Sequence, residues 1–294
     1  HNNLGNALKE QGNLDAAIAS YNSALQLKPN YPSAHNNLGN ALKQQGNLDA
    51  AIASYNSALQ FNPNYPEAHY NLGNALNQQG DLDAAIASYN SALQLQPNKP
   101  EVHNNLGNAL KEQGNLDAAI ASYNSALQLN PNNPEAHYNL GNALEEQGNL
   151  NAAIASYNSA LQLNPNKAEA HNNLGNALKK QGNLDAAIAS YNSALQLQPN
   201  NTELHNNLGN AHKDRGDLDA AIASYNSALQ LEPNDAEAHW NSSVTMLLGG
   251  DYKNGWEKYE WRTKRKQTTS KPHAIPKCDQ WTSNLDLNHL DKLL

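Results

Sequence analysis

The chain is poor in several residue types, and each scarcity excludes something. It has a single cysteine, Cys278, so no internal disulfide can form, and a reducing cytoplasmic setting is expected. Charged residues make up only 16% of the chain, against roughly a quarter in an average soluble domain. The surface must therefore be built largely from neutral polar groups, and Asn, Gln and Ser are abundant. No apolar run approaches the roughly 20 residues that a membrane span requires, and no signal peptide is visible. A membrane partner is not expected.

Basic charge is also scarce where it would matter for nucleic acid. The net charge is −8 over 294 residues, unevenly spread. Residues 1–251 carry 10 Lys and Arg against 22 Asp and Glu, whereas residues 252–294 carry 9 against 5. The long first part is mildly acidic, a poor electrostatic match for a phosphate backbone. A nucleic-acid partner is not expected either.

What is present is periodicity. Glycine recurs at Gly5, Gly39, Gly73, Gly107, Gly141, Gly175 and Gly209. Proline recurs at Pro29, Pro63, Pro97, Pro131, Pro165, Pro199 and Pro233, and histidine from His1 and His35 through to His239. All three ladders step by 34 residues. A fixed period of this size is the signature of a solenoid, in which each unit buries its apolar face only by stacking on its neighbours.

One unit runs over residues 32–65. Ala34, Leu38, Ala41 and Leu42 stand at helical spacing, and Pro32 suits a first helical position. Gly46-Asn47 breaks that helix. Leu48, Ala51, Ile52, Tyr55, Ala58 and Leu59 form a second stripe, which Pro63 ends. The small residues Gly39, Ala51 and Ala58 allow close helix approach, while Leu38, Leu42 and Tyr55 fill the space between. The spacing predicts an all-α chain of helix–turn–helix units: a partial first unit at 1–31, six regular ones over 32–235, and a divergent eighth at 236–266. Residues 267–294 are expected to be a tail that opens a following domain. The chain begins with His in mid-repeat and is read as an excised fragment.

The run Asn-Leu-Gly-Asn-Ala, then Gln-Gly-Asn/Asp-Leu-Asp-Ala-Ala-Ile, then Tyr-Asn-Ser-Ala-Leu resembles the tetratricopeptide repeat (TPR) consensus across residues 1–248. The resemblance implies a right-handed α-α superhelical solenoid whose first helices line the concave side. It also implies a protein or peptide ligand and no cofactor. The array is similar to the asparagine-lined arm of O-linked N-acetylglucosamine transferases. The segment from Gly250 to Arg262 resembles the junction where bacterial TPR arrays lead into a glycosyltransferase-like domain. No nucleotide-sugar site is present in the chain itself, so no enzymatic activity is expected of it.

Two asparagine ladders flank each Leu-Gly pair and are the candidate ligand contacts. The first is Asn37, Asn71, Asn105, Asn139, Asn173, Asn207 and Asn241, with Asn3 before it. The second is Asn40, Asn74, Asn108, Asn142, Asn176 and Asn210, with Asn6 before it. The spacing i, i+3 puts both on one helix face. Asn is about 0.7 kcal/mol worse than Ala in a helix, so two per repeat over seven repeats cost on the order of 10 kcal/mol. A side-chain amide offers donors and an acceptor, the complement of a peptide unit. Inter-repeat hydrogen bonding is the alternative use of both ladders.

The neighbouring positions refine the expectation. In some members of the family it resembles, a C-terminal carboxylate is clamped by basic and Asn side chains, and the resemblance would place the first basic residue just before the first-ladder Asn. Asn36, Tyr70, Asn104, Tyr138, Asn172, Asn206 and Trp240 stand there instead. Lys43, Lys111, Lys179 and Lys213 lie one turn beyond the second ladder, but Asn77 and Glu145 interrupt the row. The repeated His has no second His or Cys at ligand spacing, so a packing role is expected rather than a metal. Trp256, Tyr259 and Trp261 are expected to form a capping core. End-to-end homo-oligomers through the repeat ends are the remaining alternative to a polypeptide ligand.

Overall fold

The structure, a computed structural model, describes residues 1–264. Residues 265–294, which hold Cys278, the last two residues of the expected eighth unit and the whole expected tail, lie outside the described residues. Among the described residues the chain is helical throughout, with sixteen α-helices in eight hairpins. They are α1 (Asn2–Glu10) with α2 (Leu14–Leu27), α3 (Pro32–Gln44) with α4 (Leu48–Phe61), and α5 (Pro66–Gln79) with α6 (Leu82–Leu95). Next come α7 (Pro100–Glu112) with α8 (Leu116–Leu129), α9 (Pro134–Glu146) with α10 (Leu150–Leu163), and α11 (Ala168–Gln181) with α12 (Leu184–Leu197). Last are α13 (Thr202–Arg215) with α14 (Leu218–Leu231), and α15 (Ala236–Leu248) with α16 (Tyr252–Tyr259), followed by a 3-10 turn at Glu260–Lys264.

The sequence explains each break. Gly46 takes φ +89°, a left-handed conformation that glycine adopts without a Cβ penalty. Asn47 then caps α4, its side chain accepting from the Ala50 amide at 3.3 Å. At the far end α4 stops at Phe61, two residues before Pro63.

Inside a hairpin the packing is set by a glycine and a tyrosine. Tyr55 is fully buried, and a Cβ on Gly39 would lie 2.6 Å from its ring. The bare glycine therefore gives the ring its seat. The same pairing recurs from Gly5 with Tyr21 to Gly209 with Tyr225. Leu72, Leu76, Val102, Leu106 and their counterparts join Tyr55, Tyr89, Tyr123, Tyr157, Tyr191 and the small Ala51, Ala85 and Ala119 in one core, while Tyr21 packs with Ala17, Leu38 and Ala41 in a second cluster. Leu42, Ile52 and Leu59 pack against it while only half-buried.

Each second helix from α2 to α14 packs on its own first helix and on the first helix of the next hairpin. Successive first helices also approach one another, from α1 with α3 to α13 with α15, while among the described residues the second helices make no such approach to each other. The array therefore curves around its first helices, which form the concave side. Its edge is tied across hairpins: Gln45 donates to Asp15 at 2.7 Å, Gln79 to Asp49 at 2.7 Å and Gln147 to Asp117 at 2.6 Å. In the last regular hairpin Arg215 takes over this role, bonding Asp185 at 2.7 Å.

The recurring histidine donates a hydrogen bond to the loop before its helix. His35 Nε2 lies 2.8 Å from the Pro29 carbonyl in the preceding loop, and the pattern repeats through His239 and Pro233 at 2.9 Å. Among the described residues no group of His, Cys, Asp and Glu is arranged to hold a metal.

The C-terminal hairpin departs from the pattern. Ser242, Ser243 and Thr245 are fully buried, and Ser243 donates to the Gly255 carbonyl at 3.0 Å. Trp261 stacks on His239 at 4.0 Å, and Tyr259 packs on Trp240 at 4.9 Å. Trp256 is a correction to the expected capping core. It is 57% exposed and packs T-shaped against Tyr259 at 5.1 Å, and among the described residues no helix covers its outer face.

Candidate concave binding face

The concave face is assembled from one side of each first helix. At 100° per residue, the side centred on Asn40 also carries Asn36, Asn37, Lys43 and Gln44, while Ala34, Leu38 and Ala41 point into the core. The two asparagine ladders are thus brought together on one continuous ribbon. Both ladders are half-buried along the array, apart from Asn3, which is exposed, and Asn241, which is buried.

The second ladder has a structural duty inside each hairpin. The Tyr55 hydroxyl donates to Asn40 Oδ1 at 2.8 Å, and Tyr89, Tyr123, Tyr191 and Tyr225 treat Asn74, Asn108, Asn176 and Asn210 alike, at 2.7–2.9 Å. A buried phenol needs an acceptor, and the amide oxygen one turn from the core edge supplies it. Burial also pushes these phenols well above the ordinary tyrosine value of 10.0. At Tyr157 the hydroxyl lies 2.9 Å from Asn142 Oδ1 and 2.8 Å from Glu145 Oε2, so two acceptors compete for one proton.

The first ladder ties one repeat to the one before. Asn71 donates to Asn36 Oδ1 at 3.0 Å, Asn139 to Asn104 Oδ1 at 3.3 Å, and Asn207 to Asn172 Oδ1 at 3.0 Å. Asn105 and Asn173 instead donate to the hydroxyls of Tyr70 and Tyr138, both at 3.1 Å, and to Asn74 and Asn142 of the second ladder. Asn37 bridges to Asn2 and Asn6. The sequence marked position 36 and its repeats as lacking a basic group. In the structure Asn36, Tyr70, Asn104, Tyr138 and Asn172 accept the ladder's bonds, whereas Asn206 Oδ1 is buried without a donor. The curvature that brings successive first helices this close had no sequence signal beyond the repeat itself.

These bonds leave a regular remainder. Second-ladder oxygens are engaged, but among the described residues their Nδ2 groups have no protein partner and are not sealed from solvent. From Asn37 to Asn207 the first-ladder Nδ2 groups are engaged, but the oxygens of Asn37, Asn71, Asn139 and Asn207 are likewise open. Each such repeat offers one amide donor and one amide acceptor to whatever lies in the groove.

The charged neighbours differ in kind. Lys43 and Lys111 have no ion-pair partner among the described residues, and burial pushes the Lys43 ammonium below its ordinary value. Lys179 lies 3.8 Å from Asp214. Glu145 is bound by Lys180 at 2.7 Å. Asn77 Oδ1 is buried without a donor.

The family model described as TPR repeat matches seven overlapping stretches: 5–46, 39–80, 73–114, 107–148, 141–182, 175–214 and 209–242. The chain belongs to the TPR repeat family. Among solved structures it is similar to MamA, at 28% identity and a TM-score of 0.56 over 58% of this chain and 94% of that one. It is also similar to YrrB, described as a TPR protein with an unusual peptide-binding site, at 23% identity and a TM-score of 0.55 over 61% and 92%. The C-terminal part of a TPR repeat-containing protein from Cytophaga hutchinsonii shares the fold at 18% identity and a TM-score of 0.70, over 82% and 99%. No curated relative matches the chain. Among the described residues no helix is long and apolar enough to cross a membrane.

Proposed function

We propose that this TPR array is a scaffold that holds an extended polypeptide along its asparagine-lined concave face. The observation that carries the reading is the remainder left by the two ladders. One open amide donor and one open amide acceptor recur along the groove, and an extended backbone presents the matching carbonyl and N–H. Neutral amides grip the backbone and leave side chains to be read by their neighbours. Membership of a repeat family whose concave surfaces are suited to extended ligands is consistent with it, as is the peptide-binding site in YrrB's description.

The ligand contacts in this reading are Asn37, Asn71, Asn105, Asn139, Asn173, Asn207 and Asn241, with Asn40, Asn74, Asn108, Asn142, Asn176 and Asn210 beside them. In the parent protein the array would serve as the substrate-presenting arm of a larger glycosyltransferase, a role supported by the likeness of residues 250–262 to such junctions.

The test is unbiased selection of peptides from a displayed random library, with affinity then measured by fluorescence anisotropy. Replacing Asn71, Asn139 and Asn207 together with Ala is expected to weaken the selected peptides at least tenfold while the helical signal persists. Selected peptides that bind the triple variant with unchanged affinity would overturn the reading.

A further inference from the structure

The concave face carries a second period, twice the first. From the second hairpin to the sixth, the residue before the first ladder reads Asn36, Tyr70, Asn104, Tyr138, Asn172. One turn beyond the second ladder the row reads Lys43, Asn77, Lys111, Glu145, Lys179. Lysine hairpins and tyrosine hairpins therefore alternate. The hydrogen bonds alternate with them, since Asn105 and Asn173 bond tyrosine hydroxyls while Asn71 and Asn139 bond amide oxygens.

Lysine and tyrosine stand on opposite sides of the groove. They are seven positions apart on equivalent first helices, about 10 Å along the helix axis. The tyrosines lie toward the N-terminal ends of the first helices and the lysines toward the C-terminal ends. Lys43 and Lys111 have no ion-pair partner among the described residues, and both are only half-buried. Tyr70 and Tyr138 are held in place through their hydroxyls at 3.1 Å, and Lys167 lies 4.3 Å from the Tyr138 ring centre.

A strand laid along this groove meets the alternation in step. Neighbouring packed helices stand about 10 Å apart, a spacing consistent with the single-amide bridges between successive first helices. An extended chain rises about 3.3 Å per residue, so it advances about three residues per hairpin. Three is odd, and successive side chains point to opposite sides. A residue that points to the lysine side at one hairpin is thus followed, three residues on, by one that points to the tyrosine side at the next. Six residues on, the chain again faces a lysine.

We infer that the groove selects an extended polypeptide with a six-residue pattern, an anionic side chain followed three residues later by an apolar one. The acidic residues sit against Lys43, Lys111 and Lys179, and the apolar ones against Tyr70 and Tyr138. The inference rests on the proposed peptide-binding role and gives that role its specificity. The pattern belongs to the central five hairpins, because Asn206 and Lys213 repeat the lysine type without alternation.

The test uses three fluorescein-labelled synthetic peptides of equal composition with the full chain. One repeats Asp-Ser-Ser-Leu-Ser-Ser three times. The second moves each Leu one place, so that Asp and Leu fall on the same side of the strand. The third has the same residues with no period. Each misplaced contact set should cost about tenfold or more, so the first peptide is expected to bind at least tenfold tighter than the other two. Lys111→Gln with Tyr138→Phe tests charge loss with the ring retained, and Lys111→Gln with Tyr138→Ala removes both contacts. The preference should shrink in the first variant and vanish in the second, with circular dichroism unchanged. Equal affinity for all three peptides overturns the six-residue pattern but leaves general backbone binding standing. Failure of all three to bind also overturns it, and the library selection then decides the broader reading independently.

Discussion

Asn108→Ala separates the two duties of the second ladder. Tyr123 is fully buried, and its hydroxyl donates to Asn108 Oδ1 at 2.7 Å. No other side chain among the described residues donates to that oxygen, unlike Asn74 and Asn142, which serve two donors. Removing the amide leaves a buried O–H without an acceptor, at a cost of about 1–3 kcal/mol. Alanine returns about 0.7 kcal/mol through its better helix propensity. The net expectation is a destabilisation of about 1 kcal/mol. Guanidinium denaturation followed by helical circular dichroism reads it as a lower midpoint at unchanged slope. Tyr123→Phe and the double variant complete a cycle with an expected coupling of about 1 kcal/mol. The sign is decisive. A variant more stable than the parent by the propensity term alone would mean that the hydrogen bond contributes nothing, and the structural account of the ladder would fall.

Further outcomes follow from the same geometry. Gly107→Ala would place a Cβ 2.6 Å from the Tyr123 ring, so a loss of about 1–3 kcal/mol is expected in spite of alanine's helix preference, again by denaturation. Asn115→Ala removes the cap that accepts from the Ala118 amide at 3.3 Å and should cost about 1 kcal/mol. Burial raises the folded pKa of Tyr55, Tyr89, Tyr123, Tyr157, Tyr191 and Tyr225 above 10.0. A raised phenol binds its proton more tightly in the folded state. Its stabilising effect is full below pH 10 and declines above it, by up to about 1.4 kcal/mol per pH unit for each tyrosine. Tyrosinate absorbance is expected in two phases, the second coinciding with loss of helix; ionisation of all 13 tyrosines in a still-helical chain would contradict the buried hydroxyl network.

The helices, their breaks and the tyrosine core were legible because glycine, proline and small residues recur at one period and leave little conformational choice. The 3.6-residue periodicity put Ala51, Tyr55 and Ala58 on the buried stripe, where they lie. The bonding of the ladders was less legible. Asn36 and Asn37 look alike in sequence, yet one accepts from the next hairpin and the other donates to the previous one. That division depends on how sharply the stack curves, a sum of small side-chain volumes over many contacts. Trp256 was misplaced for a related reason. An aromatic at helical spacing is buried only if a neighbour covers it, and α16 presents that face with nothing described beyond it.

Five of the second helices, α2, α6, α8, α12 and α14, have the identical sequence LDAAIASYNSALQL. Junctions built from identical parts have nearly identical strength, so no interior junction is a preferred place for the rod to come apart. Opening any one interior hairpin should therefore cost about as much as opening the next, because each repeats the same intrinsic and neighbour interactions. Amide exchange over the hairpins from α3 to α12 should give closely similar protection from one hairpin to the next, without the steps of independent domains.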